Sequence, residues 1–153
     1  MQRTVMVLVT MFVAMVVAGG TAMAANGIKC PNRDGDRCVG TAQPDEMVGS
    51  RNDDTIRGRA GADTIRGGGS DALHGEVGGD TIVAARCGLG RGADVFAGRG
   101  NDDITVTSDC GQLTIVPPPD RVDCGPGYDV VRGVVPEDRI DDDCEQVIPQ
   151  RSS

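Results

Sequence analysis

The sequence predicts an all-β protein, a coil of short strands, and three observations support this fold class. Between residues 40 and 106 an aspartate recurs about every nine positions, and one large apolar residue follows it two positions later. One apolar residue per nine fits no amphipathic helix, which needs one every three or four positions. The chain also has 23 glycines, and aromatic residues make up only 2% of it. Glycine permits tight bends, and the core has to be built from aliphatic side chains.

Each row of the repeat has the same layout: glycine or small polar residues, then an aspartate, then the apolar residue. The aspartates of the seven rows are Asp45, Asp54, Asp63, Asp71, Asp80, Asp94 and Asp102. A bend in every row leaves room for only a short strand, such as Asp-Thr-Ile. One such strand cannot form a core alone, but stacked rows align their apolar residues as an internal ladder. We therefore expect a core that contains Ile56, Ile65, Leu73, Ile82 and Phe96.

The recurring aspartates indicate a metal. In a coil they come to lie at one angular position, where an unpaired column of carboxylates would repel itself. Calcium accepts carboxylate and backbone carbonyl oxygens in flexible geometry, and glycine-rich bends expose such carbonyls. The sequence thus predicts Ca²⁺ at the aspartates. The alternative is a metal-free solenoid in which the aspartates only cap turns.

Three segments of the repeat resemble the haemolysin-type, or repeats-in-toxin (RTX), calcium-binding nonapeptides: 58–66, 75–83 and 100–104. Their family pattern is Gly-Gly-x-Gly-x-Asp-x-apolar-x. The resemblance implies a right-handed parallel β-roll, or β-solenoid, with calcium held between rows two apart. It places the metal-binding aspartates on two sides, with Asp45, Asp63, Asp80 and Asp102 on one and Asp54, Asp71 and Asp94 on the other.

The rows differ in regularity, and this difference predicts where calcium binds best. A short row at 67–74 and extra residues before Leu89 interrupt the nine-residue count. We expect the most regular sites at Asp45 with Asp63 and at Asp54 with Asp71. Sites towards Asp102 are expected to be weaker.

The segments outside the repeat are interpreted as a leader and two caps. Residues 1–24 resemble a secretory signal peptide, with Arg3, an apolar run and the small-x-small site at 22–24. An uncleaved anchor is the alternative. We expect an N-terminal disulfide cap at 25–39, the repeats at 40–106, a C-terminal cap with a partial repeat and a disulfide at 107–149, and a tail at 150–153. The chain is therefore expected to be secreted, without stable membrane insertion after cleavage.

Six cysteines in an exported chain indicate three disulfides. Six cysteines permit 15 pairings. Position favours Cys30–Cys38, Cys87–Cys110 and Cys124–Cys144. A zinc site is the alternative, but the chain has one histidine and no close Cys-x-x-Cys pair.

No catalytic constellation is visible in the sequence, so we expect a protein that is not an enzyme. His74 stands next to Leu73, at a position predicted to face outwards. A net charge of −8 disfavours nucleic acid or an anionic membrane surface as a partner. The predicted function is a secreted calcium-binding repeat protein with a structural or adhesive role and an extracellular protein or glycan partner. The alternatives are a calcium-stabilised module of a secreted enzyme or toxin system, or a metal-free solenoid that binds such a partner.

Overall fold

The protein is all-β, as a computed structural model that describes residues 26–30, 37–85, 91–107 and 118–151 shows. These residues contain no helix. Their strands are β1 (Asn26–Lys29), β2 (Arg37–Val39), β3 (Asp45–Val48), β4 (Thr55–Ala60), β5 (Thr64–Gly67), β6 (Ala72–Val77), β7 (Thr81–Ala85), β8 (Asp94–Arg99), β9 (Asp103–Thr107), β10 (Arg121–Asp123), β11 (Val130–Val134), β12 (Arg139–Ile140) and β13 (Gln146–Pro149).

The chain alternates between two parallel sheets. The odd-numbered strands form sheet I, in the order β1-β3-β5-β7-β9-β11-β13, and the even-numbered strands form sheet II, in the order β12-β10-β8-β6-β4-β2. Every strand therefore pairs with the strand two places along the chain, which is the geometry of a solenoid. The predicted all-β solenoid is confirmed. Strands β10 to β13, in the segment expected to form a C-terminal cap, continue both sheets.

The core is a narrow double ladder of aliphatic side chains between the sheets. In sheet I, Met47 pairs with Ile65, Ile65 with Ile82 and Ile82 with Ile104. The sheet II ladder consists of Ile56, Leu73, Val95 and Val122. All these side chains have 0% exposure, so Ile56, Ile65, Leu73 and Ile82 lie in the core as predicted.

Phe96 was wrongly predicted to lie in this core, because its strand is offset by one residue from the predicted register. The register pairs Leu73 with Val95 and His74 with Phe96. A shift of one residue along a strand exchanges its two faces. Val95 therefore fills the interior, while Phe96 is half-buried on the outer face with its ring stacked on His74, 4.9 Å between centroids. The smaller valine continues the narrow ladder, and the aromatic ring packs outside it.

Two of the predicted disulfides are confirmed, and each lies near one end of the coil. Cys30–Cys38 and Cys124–Cys144 both have Cα atoms 5.3 Å apart. The predicted Cys87–Cys110 pair and the predicted signal peptide lie outside the described residues. Within the described ranges, no helix is long and apolar enough to cross a membrane.

Candidate metal centre

Two columns of acidic residues run along the solenoid, one at the entry to each sheet. An aspartate stands at or immediately before the first residue of nearly every strand, because each row places it directly after the bend. The sheet I column consists of Asp45, Asp63, Asp80, Asp102 and Asp129. The sheet II column consists of Asp54, Asp71, Asp120 and Asp138.

Within a column each carboxylate is bonded to the backbone of the previous turn. The Asp45 N–H donates to Asp63 Oδ1 at 2.8 Å, and the Asp63 N–H donates to Asp80 Oδ1 at 2.8 Å. The same bond links Asp80 to Asp102 at 2.7 Å and Asp102 to Asp129 at 2.8 Å. In sheet II the Asp54 N–H donates to Asp71 Oδ1 at 2.8 Å. One oxygen of each accepting carboxylate is therefore fixed by the fold, and the other is left for a different partner.

From Asp63 onwards in the sheet I column, that second oxygen has no hydrogen-bond donor. The Oδ2 atoms of Asp63, Asp80, Asp102 and Asp129 are buried without a hydrogen-bond partner. None of these four residues is more than 2% exposed. A buried charge without a partner is costly, and a hard cation with oxygen ligands removes that cost. The donor set therefore fits calcium.

The sheet II column is better supplied with donors. Asp71 Oδ2 accepts the N–H groups of Gly68 and Gly69 at 2.7 and 3.3 Å. Asp54 Oδ2 accepts the N–H and the hydroxyl of Ser50 at 2.7 and 2.9 Å. Asp54 Oδ1, by contrast, is buried without a hydrogen-bond partner. The two columns thus differ in how far the protein itself satisfies the carboxylates.

Burial shifts the acidity of the column. Loss of hydration, the largest cause, and the neighbouring charges of Asp102 and Asp63 together raise the pKa of Asp80 to about 7, against the lowering effect of the Asp63 N–H. Burial likewise raises the pKa of Asp63, Asp102 and Asp129 in the sheet I column and of Asp71 in the sheet II column. Without a positive charge nearby, the ionised form of these carboxylates is disfavoured. A bound cation would stabilise that ionised form.

Glycine is required where the carboxylates meet the bend. A Cβ on Gly58 would lie 2.3 Å from Asp63 Oδ2 and 2.9 Å from the carbonyl oxygen of Gly75. A Cβ on Gly75 would lie 2.3 Å from Asp80 Oδ2. Each carboxylate is therefore packed directly against a glycine five positions earlier and next to a backbone carbonyl. These are the oxygen types that calcium uses as ligands.

Six of the seven aspartates expected from the sequence stand in the columns. Asp45, Asp63, Asp80 and Asp102 share the sheet I side, and Asp54 and Asp71 share the sheet II side. Asp94 does not join them, because it pairs with Ala72 and is exposed. Its place is taken by Ala93, which donates its N–H to Asp120 Oδ1 at 2.7 Å. The expected register of this row was therefore wrong by one residue.

Three further column members were not predicted from the sequence: Asp120, Asp129 and Asp138. A signal for Asp129 was present, since Gly127-Tyr128-Asp129-Val130-Val131 has the layout of 100–104. Asp138 has a single glycine, Gly133, in the bend before it, and Asp120 follows three prolines, so their rows depart from the repeat pattern. The pairing of β10, β11 and β12 with earlier strands is what identifies them.

The fold and the columns define a class of protein: a parallel β-solenoid with stacked, buried aspartates at its bends. Residues 39–71 and 48–82 match the model of the RTX calcium-binding nonapeptide repeat, in four copies. Residues 39–82 thus match RTX calcium-binding repeats, and the resemblance seen in the sequence is confirmed for this segment. No curated protein and no solved structure matches the chain.

Proposed function

We propose that this chain is a secreted, non-catalytic protein whose RTX solenoid binds calcium at the aspartate columns and is stabilised by it outside the cell. The observation that carries the proposal is the set of four buried Oδ2 atoms in the sheet I column that lack a hydrogen-bond donor. The hydrophobic ladder is thin, so little burial is available to offset their repulsion. Calcium that binds only the folded coil converts this repulsion into attraction.

The expected gain per site is modest, so several sites have to act together. A ligand that binds only the native state adds RT ln(1 + [L]/Kd) to the free energy of unfolding. Extracellular modules bind calcium with Kd of about 10⁻⁴–10⁻³ M, and millimolar calcium then gives about 0.4–1.4 kcal/mol per site. A column of stacked carboxylates supplies such a series. The secreted location rests on the leader-like segment at 1–24 and on the disulfides, which persist in oxidising compartments.

The non-catalytic role is supported by the surroundings of the histidine and of the carboxylates. His74, the only histidine of the chain, has its ring against Phe96, and burial lowers its pKa. The buried carboxylates of a column share one type of environment. A glycosidase-like pair instead needs two carboxyl groups in contrasting environments. A structural or adhesive role at the cell exterior follows, with calcium as the partner.

Calcium binding by isothermal titration calorimetry tests the proposal, with two matched aspartate variants. Asp63→Ala removes a buried column member, whereas Asp142→Ala removes an exposed carboxylate that lies outside the columns and outside the acidic group of Asp123, Asp141 and Asp143. Asp63→Ala should lower the calcium affinity or the number of ions bound, and Asp142→Ala should leave both unchanged. Equal effects of the two substitutions, or no heat of binding in millimolar calcium, would refute the proposed function.

A further inference from the structure

The two bends of each turn have different backbone conformations. We name the bends that lead into the sheet I column corner I, and those that lead into the sheet II column corner II. In corner I, residues adopt positive φ in pairs: Arg59 and Gly61 at 82° and 126°, and Glu76 and Gly78 at 75° and 155°. Among the described residues, Gly133 is the one positive-φ residue outside corner I. The two corners therefore direct their backbone groups differently.

In corner I the N–H groups of the bend are used between turns. Gly61 donates to the carbonyl of Val77 at 3.0 Å, and Gly78 donates to the carbonyl of Arg99 at 2.8 Å. The bend at Gly100 continues the pattern, with a bond to the carbonyl of Pro126 at 3.1 Å. These bonds hold successive turns together. They also take away the donors that would otherwise reach the second oxygen of the column carboxylates.

In corner II the N–H groups of the bend point at the carboxylate instead. Ser50 donates twice to Asp54, and Gly68 and Gly69 donate to Asp71. Backbone N–H groups that converge on an anion form a nest, which stabilises negative charge without a metal. Corner II at these two turns thus supplies donors to its aspartates: both oxygens of Asp71 accept N–H groups, whereas Asp54 Oδ1 is left without a hydrogen-bond partner.

The first turn of corner I behaves like corner II. The N–H of Thr41 donates to Asp45 Oδ2 at 2.5 Å, and its hydroxyl lies 3.1 Å from the same oxygen. Asp45 therefore already has side-chain and backbone donors on its second oxygen. The unsatisfied oxygens begin one turn later, at Asp63, and continue through Asp129.

We propose that calcium loads the solenoid along corner I, from Asp63 through Asp80 and Asp102 to Asp129, and that Asp71 in corner II binds none. This inference rests on the proposed calcium binding and specifies which residues carry it. It differs from the two-sided arrangement that the resemblance implies. It also extends the metal column to Asp129, beyond the residues that match the repeat family.

The test compares Asp80→Asn with Asp71→Asn in the full mature chain. Both residues are buried, at 1% and 2% exposure, and both accept an N–H from the previous turn at 2.8 Å. Asparagine keeps the size and one acceptor oxygen. Native mass spectrometry counts the bound calcium ions. Asp80→Asn should reduce the count and raise the calcium concentration at half-saturation about tenfold or more, as loss of a charged ligand implies. Asp71→Asn should leave the count unchanged.

Wild-type protein provides a second measurement, in case a variant does not fold. With ¹³C-labelled aspartate carboxyl groups, NMR should show calcium-dependent shifts for Asp63, Asp80, Asp102 and Asp129, and none for Asp71. Loss of an ion in Asp71→Asn, or a carboxyl shift at Asp71 as large as that at Asp80, overturns the exclusion of Asp71 while calcium binding stands. Absence of any bound calcium in the wild-type chain overturns the proposed function itself.

Discussion

The turns that end at Asp63 and Asp80 build the same corner as the turns that end at Asp102 and Asp129, but from different side chains. The first two turns place Gly58 and Gly75 against the carboxylates, where a Cβ would lie 2.3 Å from the acid oxygen. The strand registers put Ala97 and Cys124 at the equivalent positions in the later turns. Both later residues are buried at 0% exposure. A Cβ is therefore accommodated in one half of the coil and excluded from the other.

The two halves also differ in spacing and in covalent support. Bonded column members are 18 and 17 residues apart up to Asp80, and then 22 and 27 residues apart up to Asp129. The longer turns retain the hydrogen bond between successive column members, at 2.7–2.8 Å. The Cys124–Cys144 disulfide joins the turn that contains β10 to the turn that contains β12, at the C-terminal end of sheet II. The early turns thus depend on glycine geometry and regular spacing. The later turns tolerate inserted residues because side-chain packing and a disulfide hold them.

Among the tests of this difference between the two halves, removal of the Cys124–Cys144 disulfide is expected to change stability most. Replacing Cys124 and Cys144 by Ala should cost about 2–4 kcal/mol of stability, because a bridge between residues 20 apart no longer restricts the unfolded chain. Hydrogen exchange should show the loss of protection in β10 and β11 more than in β4 and β6. The control is the Cys30→Ala/Cys38→Ala pair, which should affect β1 and β2. Equal loss of protection along the whole coil would contradict a division into two halves.

A second test exchanges glycine and alanine at one corner position. Gly58→Ala should destabilise the protein by about 1–3 kcal/mol, because its Cβ overlaps Asp63 Oδ2 and a backbone carbonyl. Ala97→Gly, at the equivalent place in a later turn, should cost only about 0.5–1 kcal/mol through chain entropy. Urea unfolding in saturating calcium measures both. Similar costs at the two positions would show that the halves do not differ in the space they offer.

The smallest of these effects concerns pH in the absence of calcium. Burial raises the pKa of Asp80 in the folded chain from 3.8 to about 7, with Asp63 and Asp102 facing it from the adjacent turns. A raised carboxyl pKa means that the folded state holds the proton more tightly than the unfolded state. The stabilisation is thus fully present below pH 3.8 and is lost as the pH rises through about 7.

In excess chelator, the melting temperature should therefore fall between pH 5 and pH 8. Asp80→Asn should reduce this dependence, since the variant has no proton to lose at that position. Differential scanning calorimetry at both pH values provides the measurement. A melting temperature that rises with pH over this range would show that the column carboxylates are ionised and satisfied without metal.

The sequence predicted the early half better than the later half, for a physical reason. Where Gly, Asp and Ile recur in fixed spacing, as at 58–66, the pattern determines both the strand and the face of each residue. In the row around Asp94, two apolar residues stand side by side, Val95 and Phe96, and either could be turned inwards. Stacking of Phe96 on His74 outside the ladder favours Val95 inside, and this contact depends on a strand more than 20 residues away in sequence. Sequence spacing alone does not contain that information.

The candidate site was predictable in its residue type but not in its asymmetry. The aspartates and their two sides follow from the repeat. Whether a bend directs its N–H groups at the carboxylate or at the next turn depends on backbone angles such as those of Arg59 and Glu76, at 82° and 75°. Positive φ is uncommon for residues with a side chain, so nothing in the residue types of 59 and 76 signals it. The N–H groups that bond to Asp54 and Asp71 therefore could not be predicted from the sequence.

Far-UV circular dichroism during calcium titration of the chelator-treated mature protein tests the central claim most directly, namely that calcium folds the coil. If calcium folds the coil, β-structure at pH 8 is weak in excess chelator, rises cooperatively with added calcium and disappears again when chelator is restored. Magnesium at the same concentration serves as the control ion, because its demand for near-octahedral geometry and its reluctance to lose water fit such a column poorly. Full β-structure in excess chelator, with a melting temperature that calcium does not raise, would contradict the account.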